Sequence, residues 1–440
     1  MNKNKNLFFN QLNLIKKVRL FLKKQFLNDN LARLDLFYLC PFGSFKGSSK
    51  LIFFFNKFLA FKIFFLTSIK DFIKLFFLAE LKIKNFNMNK RYNKIVVNWG
   101  KFENFSNKGE FFDKHLNVKS SKCSDVLWYI IYMDEKLPKK INKNIILVHK
   151  GRNKFSFKTI KKVIITILKK KTLKYFNQEI SEISILATFV SENFSHLVHR
   201  NLKKVLMPYE GQPFQNSIFL TIHKKNKKTQ TVGYIHSFPI GLPTNLMRRP
   251  GFPKKIIINS KAQQFCLSKF FGWSKKQMYL LPSSRLLKNS KLKMKNMIFL
   301  PIQFRNQRFI INQFKELIRI KNLNLSKFKI KNHPSCLNNS KHLGLIKKLS
   351  KLISDTKHKK NYHKNLSIFV GTTGSTIEAL ERNIDVYQIC ELPILEAYND
   401  KIWKYIKYKN LNNYIFKYFK IKHFHLLNFG NSTNLYKKYI

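Results

Sequence analysis

Short apolar runs alternate with stretches of helical periodicity along most of the chain from residue 93 onward. Each run is rich in Ile, Val and aromatic residues, a composition typical of buried strands. In the first part of this region the runs predict strands at 95–99, 145–149, 204–209, 230–236, 255–259 and 277–281. The pattern between them predicts helices at 158–169, 196–202, 212–223 and 261–271. Short strands separated by helices are typical of parallel sheets covered on both faces.

A second series of the same kind begins after a polar stretch rich in Lys and Ser, residues 283–296, which is predicted to be a linker. Its predicted strands are 297–304, 328–332, 366–370 and 386–390, and its predicted helices are 309–320, 343–353 and one that begins near Ser375. The sequence therefore predicts an α/β fold with two Rossmann-like domains, 91–285 and 290–440. A ligand cleft is expected between them, at the carboxyl ends of the strands.

Residues 1–90 differ from the rest because Phe, Leu, Lys and Asn dominate them. The most apolar part, 51–81, is interrupted by lysines at intervals too short for an uninterrupted membrane span of about 20 residues: Lys57, Lys62, Lys70 and Lys74. We predict a helical, Phe/Lys-rich N-terminal region. Its helices either lie in a membrane interface, with Lys snorkelling to one side, or belong to the core of the first domain.

The formal net charge is +62, from 84 Lys plus Arg against 22 Asp plus Glu. Such a cationic chain is suited to binding nucleic acid or an anionic membrane. However, only 12 of the basic residues are Arg, and Lys, Asn, Phe and Ile are abundant almost everywhere. A gene drifting toward A and T produces the same composition, and both explanations remain open.

The cysteines are odd in number and form no CxxC pair: Cys40, Cys123, Cys266, Cys336 and Cys390. This spacing argues against a disulfide framework or a structural zinc site, and it suits a reducing compartment. The first residues also lack the short apolar core that a secretory signal needs. The sequence therefore predicts an intracellular protein.

A turn of small residues follows the strand 366–370, and it consists of Gly371, Thr372, Thr373, Gly374, Ser375 and Thr376. Such a turn before a helix presents unpaired N–H groups, hydroxyls and the positive end of the helix dipole to an anion, usually a phosphate. Glu378 lies three residues after Ser375, a spacing that predicts a capping box. A capped helix in any parallel sheet has the same pattern.

A carboxylate, Glu210, follows the predicted strand 204–209. At that edge it is expected to point into the cleft, and with a raised pKa it can take a proton from a hydroxyl nucleophile. The alternative is that Glu210 only caps the helix that begins near Gln212.

Two histidines also lie at predicted strand ends. His236, followed by Ser237, closes the strand 230–236, where an imidazole can bind a phosphate or a sugar hydroxyl or serve as a hydrogen-bonded structural residue. His333 follows the strand 328–332, and Pro334 stiffens the exit of the chain after it.

These motifs together resemble bacterial surface-carbohydrate biosynthesis proteins with the two-domain GT-B glycosyltransferase fold. Similar sets occur in GT-B sialyltransferases and in capsule Kdo-transferases: an acidic residue before Gly, a His-Pro pair and a Ser/Thr pair. The resemblance covers about residues 200–390, through the segments 209–213, 232–237, 333–334 and 371–380. Where such families often have a second acidic residue just before the catalytic one, this chain has Tyr209.

The resemblance implies a metal-independent transferase that moves a sugar from a nucleotide-sugar donor to a surface glycan or glycolipid. A CMP-linked sugar is one of the donors that the resemblance allows. Glu210 is the implied general base, and His333 the implied contact to the donor phosphate. The turn 371–376 and Glu378 are implied to bind donor phosphate and nucleotide, and the implied cleft residues are His236, Ser237 and Gln212. No further cofactor is implied. The expected location is the cytoplasm, with peripheral contact to the inner membrane face.

A binding role is the main alternative. On this interpretation the chain is a basic RNA-binding or ribosome-associated protein of an organelle matrix or a reduced genome, and it keeps a transferase-like scaffold. RNA recognition usually adds aromatic residues and Arg on one face, whereas the many Phe here lie mostly in apolar runs. A nucleotide-sugar epimerase, or another enzyme on the same fold, is a third possibility.

Overall fold

A computed structural model describes a large part of the chain, namely residues 81–85, 91–150, 182–236, 246–248, 251–288, 294–304, 306–371, 373–391 and 402–440, with a few single residues besides. Most of the region 1–90 and most of the predicted helix 158–169 lie outside these residues. Ser237 and Thr372 also lie outside them.

The first part of the chain forms a sheet whose strands are mostly parallel. Its strands, with the short hairpin β3 and β4, are β1 Leu81–Lys84, β2 Lys94–Gly100, β3 Phe112–Asp113, β4 Val118–Lys119, β5 Val126–Tyr132, β6 Ile145–Lys150, β7 Lys204–Pro208, β8 Gln230–Tyr234, β9 Lys255–Ile258 and β10 Met278–Leu280. The order across the sheet is β1-β6-β5-β2-β7-β8-β9-β10. Among these described strands of the sheet, only β1 runs antiparallel to its neighbour, β6.

Helices α1 Glu182–Ser195, α2 Pro213–Lys225 and α3 Lys261–Phe270 belong to this first part. A predicted helix at 196–202 is wrong, because α1 ends at Ser195 and turns lead directly into β7. There the N–H groups of Lys203 and Lys204 donate to the carbonyl of Asn93 and start the ladder instead. Leu81–Lys84, at the end of the predicted helical region, is a strand because it pairs with the edge of β6. Strand β5 was not predicted, although all but one of its residues are buried.

The second part of the chain forms a six-stranded sheet. Its strands and helices are β12 Met297–Phe299, α4 Gln307–Lys321, β13 Lys329–Lys331, α5 Ser340–Ser354, β14 Leu366–Val370, α6 Ser375–Glu381, β15 Asp385–Ile389, β16 Ile406–Asn410 and β17 Ile415–Lys420. The strand order is β13-β12-β14-β15-β17-β16. Strands β12 to β15 are parallel as predicted, whereas β16 and β17 form an antiparallel hairpin that was not predicted.

The predicted linker 283–296 is wrong for its first residues. Ser283–Leu287 forms strand β11, which pairs in parallel with β18, Phe429–Gly430. On one side, Ser284 Oγ donates to the carbonyl oxygen of His115, 2.9 Å away. On the other, Arg382 at the end of α6 donates to the carbonyl oxygen of Leu287 at 3.3 Å. Strand β11 therefore connects a loop of the first sheet to a helix of the second.

Buried apolar residues form three clusters. One covers a face of the first sheet, a second lies between the second sheet and helices α4 and α5, and a third contains residues of both sheets. The last helix, α7 Tyr436–Tyr439, returns to the first sheet, where Tyr439 donates from its hydroxyl to the carbonyl of Pro282. The domain boundaries 91–285 and 290–440 stay a prediction. Within the described residues, no helix has both the length and the apolar character that a membrane crossing requires.

Candidate functional site

The order of the first sheet places its switch point between β2 and β7. From β2 the chain continues to β5 and β6 on one side, and it then returns to build β7, β8, β9 and β10 on the other. Ligands in open α/β sheets bind outside the carboxyl ends of the strands at such a point. Trp99 lies near the carboxyl end of β2, and Glu210 follows the end of β7. Both residues therefore lie at the edge where a ligand is expected.

The side chain of Glu210 is bonded at both oxygens. His236 Nε2 lies 3.1 Å from its Oε1, and Gln212 Nε2 donates to its Oε2 at 3.2 Å. The His236 side chain is 5% exposed, whereas 32% of the Glu210 side chain remains exposed. The structure thus brings together three predicted residues and leaves part of the Glu210 side chain exposed.

Glu210 is not the N-cap of helix α2, the alternative that the sequence left open. The N-cap is Gln212, whose backbone N–H donates to Gln215 Oε1 at 2.9 Å. Gln215 Oε1 also accepts from the backbone N–H of Glu210 at 3.0 Å. Gly211, with a φ of 70°, lets the chain turn sharply between the strand and the helix. The backbone around Glu210 is therefore held, while its carboxylate bonds to the side chains of His236 and Gln212.

The pKa of Glu210 is not raised, the condition that the sequence analysis attached to its role as a base. Burial alone raises the pKa of this carboxyl group, but the hydrogen bond and charge of His236 and the hydrogen bond of Gln212 outweigh it, so that the pKa lies below its usual range. The group is therefore an ionised carboxylate at neutral pH. It is in the correct protonation state to accept a proton, at the cost of lower basicity.

Asp113 and His115, which the sequence analysis did not select, lie beside the pair formed by Glu210 and His236. The His115 and His236 ring centroids are 4.0 Å apart, and Asp113 Oδ1 accepts from the backbone N–H groups of His115 and Leu116 at 2.8 and 2.9 Å. Burial raises the pKa of Asp113 to about 6. Burial, with the charges of His236 and Arg285, lowers the pKa of His115 well below its usual value.

Trp99 and Phe214 line the same edge. The Trp99 ring meets His236 with a centroid distance of 6.1 Å and Phe214 with 5.9 Å, both nearly edge to face. Phe214 lies in the first turn of α2, two residues after Gln212. Both aromatic side chains are half-buried. From sequence alone, a Trp at the end of an apolar strand looks like a core residue. Nothing in the residues next to Trp99 indicated that it lies beside the candidate site.

The turn 371–376 lies at the switch point of the second sheet, between β12 and β14. The predicted capping box is wrong: the helix has Gly374 as N-cap, with no side-chain cap. Because Gly374 has helical angles, Thr376 N–H already donates to the carbonyl of Thr373, and Ser375 N–H donates to Thr373 Oγ1. Gly371, at φ 66°, donates to the carbonyl of Ile389. Several N–H groups expected to face an anion are therefore used inside the turn.

Two residues that the resemblance assigns to the donor site are buried inside the protein. Thr376 is buried. Glu378 is also buried, and its carboxylate forms an ion pair with Arg382 at 3.0 Å. Thr373, Gly374 and Ser375 remain half-buried and accessible in part. The accessible portion of the predicted site is therefore smaller than the sequence suggested.

His333 lies at the carboxyl end of β13, two strands away from β14. It is the N-cap of a short 3₁₀ turn, Pro334–Cys336, and its Nδ1 accepts from the N–H of Ser335 at 3.2 Å. Burial, with the charge of His342, lowers the pKa of His333. A neutral ring that accepts at Nδ1 carries its proton on Nε2, from where it can donate to a phosphate oxygen.

Other features lie away from this edge. A cavity at the amino end of β9 is lined by His223, Arg248, Gly251, Phe252, Pro253, Lys254 and Gln277. The described part of the chain contains no group of three or more His, Cys, Asp or Glu side chains arranged to hold a metal ion. The cysteines that it includes are buried free thiols: Cys123, Cys266, Cys336 and Cys390.

No protein-family model matches the chain, and no curated protein sequence matches it either. Among solved structures, the chain is similar to an α,α-trehalose 6-phosphate synthase from Burkholderia multivorans. The sequences are 8% identical, and the match covers 63% of this chain and 76% of that one with a TM-score of 0.34. A likeness at this level says nothing about the activity of this chain. The α/β assignment stands on the two sheets themselves.

Proposed function

We propose that this protein is a glycosyltransferase that moves a sugar from a nucleotide-sugar donor to a hydroxyl group of a surface glycan or glycolipid. One observation carries the proposal. The Glu210 carboxylate is fixed by His236 and Gln212 at the switch point of a parallel sheet, and about a third of its side chain is exposed. A carboxylate that is ionised, oriented and accessible is what a general base requires.

In the proposed reaction Glu210 takes the proton of the acceptor hydroxyl. The acceptor oxygen forms a bond to the anomeric carbon of the donor sugar. The bond from that carbon to the donor phosphate oxygen breaks, and the electron pair leaves with the nucleotide. His236 donates to Glu210 and thereby holds the carboxylate in one orientation. It acts as a positioning residue in this proposal.

The leaving nucleotide gains negative charge on its phosphate, and this charge needs donors placed in advance. We assign Thr373, Gly374 and Ser375 to this role, together with the neutral His333, because these residues lie at the same edge of the second sheet. Gly371 shapes the turn, and Thr376 and Glu378 are buried in helix α6, which follows it. This arrangement works without a metal ion, and metal independence is part of the proposal.

The finer parts of the proposal come from the sequence. A CMP-linked donor and a surface glycan or glycolipid acceptor follow from the resemblance, and a cytoplasmic protein that rests on the inner membrane face follows from the cysteines and the positive charge. The net charge of +62 supports contact with an anionic lipid surface.

A thermal-shift screen tests the donor site. The purified protein is heated at moderate salt with CMP, CDP, UDP, GDP or an RNA oligomer, and the screen is repeated with Ser375→Ala and His333→Ala. The matched controls are Ser354→Ala and His358→Ala, which change exposed residues elsewhere on the second part of the chain. A ligand that binds only the folded state raises the melting temperature.

We expect one nucleotide to raise the melting temperature of the wild type and of both controls, and to do so much less in Ser375→Ala and His333→Ala. The opposite result is stabilisation by RNA alone, unchanged in every variant and lost at high salt. That result would assign the function to the positive charge and would remove the transferase proposal.

A further inference from the structure

The chain has four Trp residues, and all four lie within the described residues. Trp128, Trp273 and Trp403 are at most 2% exposed, as expected of core residues. Trp99 is half-buried, and its ring lies on the side of the sheet edge that carries Glu210. A large aromatic ring that is left partly open at a switch point is a typical ligand-binding feature rather than a core feature.

The neighbours of Trp99 show which part of the site it faces. Its ring contacts His236, which is bonded to Glu210, and Phe214, which lies in the same helical turn as the Gln212 cap. The His115 ring contacts Trp99 as well, with 5.8 Å between the ring centroids. The indole and the phenyl ring therefore form an apolar surface directly beside the proposed base.

We propose that Trp99 and Phe214 form the platform that binds the acceptor sugar as a pyranose ring beside Glu210. This inference rests on the proposed function and adds the acceptor class to it. A pyranose carries a face of C–H groups that packs on an aromatic ring, and its hydroxyl groups project at the rim. With the ring on this surface, one hydroxyl can point toward the Glu210 carboxylate.

Charge distinguishes this acceptor from a phosphorylated one. The half-buried ionised Glu210 would repel an anion placed on the platform, and Arg285 is the cation whose charge acts on Glu210; a neutral sugar binds there without a charge of its own to balance. Within the described residues, the rings that contact Trp99 are those of histidines and Phe214, and no Lys or Arg side chain stacks on it. We therefore expect a neutral glycosyl terminus to bind at this site.

Intrinsic fluorescence tests the inference directly, because Trp99 is the one accessible indole of the four. We would measure acrylamide quenching of the full chain with a panel of neutral methyl pyranosides, and in parallel with inorganic phosphate and glycerol. Trp99→Phe removes the accessible indole and keeps a ring. Trp403→Phe removes a buried indole and is the matched control.

We expect quenching of one fluorescence component in the wild type and in Trp403→Phe, and its loss in Trp99→Phe. At least one pyranoside should protect that component in a saturable way, whereas glycerol and phosphate should not. By ligand-observed NMR, Trp99→Ala should weaken binding of that pyranoside by about tenfold, the size expected when an aromatic stacking partner is lost. Phe214→Ala should weaken it as well, and Phe419→Ala, an exposed aromatic of the second sheet, should not.

Protection by phosphate and not by any pyranoside would overturn the inference and assign an anionic ligand to the platform. Unchanged pyranoside binding in Trp99→Ala, with normal folding by circular dichroism, would overturn it too. The donor screen distinguishes the two proposals. If one nucleotide binds through Ser375 and no pyranoside binds through Trp99, the transferase proposal stands and the acceptor platform falls. If pyranosides bind and no nucleotide does, the transferase proposal falls.

Discussion

His236 Nε2 lies 3.1 Å from Glu210 Oε1, and this contact joins the ends of two adjacent parallel strands. Gly233, within β8, makes the close approach possible, because a Cβ atom there would lie 2.7 Å from the Cβ of Tyr209. The pair therefore depends on tight packing of β7 against β8 as well as on its own hydrogen bond. The role proposed for Glu210 follows from this contact.

Replacing Glu210 by Gln should abolish most sugar transfer. The amide keeps the shape of the side chain but cannot accept the acceptor proton, and a general base contributes about 10²- to 10⁴-fold to the rate. The measurement is kcat for release of nucleotide from the donor in the presence of acceptor. Glu316→Gln, which changes a half-buried glutamate on α4 whose side chain is 33% exposed, is the matched control and should leave kcat unchanged. Full activity in the Glu210→Gln variant would remove Glu210 from the reaction.

Replacing His236 should move the acidic limb of the pH profile. His236 lowers the pKa of Glu210 by its hydrogen bond and its charge, so His236→Ala raises that pKa. The base is then protonated up to a higher pH, and the acidic limb of kcat/KM shifts toward neutral pH. His236→Gln keeps a donor and should shift the limb less. A limb that stays in place in both variants would show that another group sets the profile.

Asp113→Asn should flatten the pH dependence of stability. The pKa of Asp113 is raised to about 6 in the folded protein, so the folded state binds this proton more tightly than the unfolded state does. Its contribution to the free energy of unfolding is greatest at low pH. As the pH rises from about 4 to 6, this contribution falls by an amount on the order of 2–3 kcal/mol. Urea denaturation across this range should show the fall in the wild type and lose it in Asp113→Asn. Asp125→Asn, at an exposed aspartate, should keep it.

Glu381→Gln should destabilise the second sheet. The Glu381 side chain is 4% exposed, and it accepts from His425 Nδ1 at 2.7 Å, from the backbone N–H of Leu426 at 2.8 Å and lies 3.5 Å from Lys420 Nζ. The Gln side chain is neutral and has only one acceptor oxygen, so at least one of these buried donors is left without an acceptor. The free energy of unfolding should therefore fall by about 2–4 kcal/mol. Chemical denaturation measures the change. The same substitution at Glu316, whose side chain is 33% exposed and whose partner Arg319 is 74% exposed, should cost less than about 1 kcal/mol, and equal costs would contradict the prediction.

The regular elements of the fold could be predicted where the local pattern is strong. The strand 366–370 was predicted to the residue, and 204–209 ends within one residue of β7. Strand β11 and the hairpin of β16 and β17 were not predicted, because their Lys, Arg and Ser residues interrupt the apolar pattern. Pairing with distant partners stabilises them, and local sequence does not report this.

The same division applies to the candidate site. From sequence alone the chain specified an α/β fold and placed Glu210, His236 and the turn at 371–376 at strand ends, because apolar period and turn residues are local properties. Only the tertiary structure decided that Trp99, Asp113 and His115 join Glu210, since the position of β2 between β5 and β7 depends on strand order. It also decided that Glu378 pairs with Arg382 instead of facing a phosphate, because burial and partners are properties of the assembled sheets.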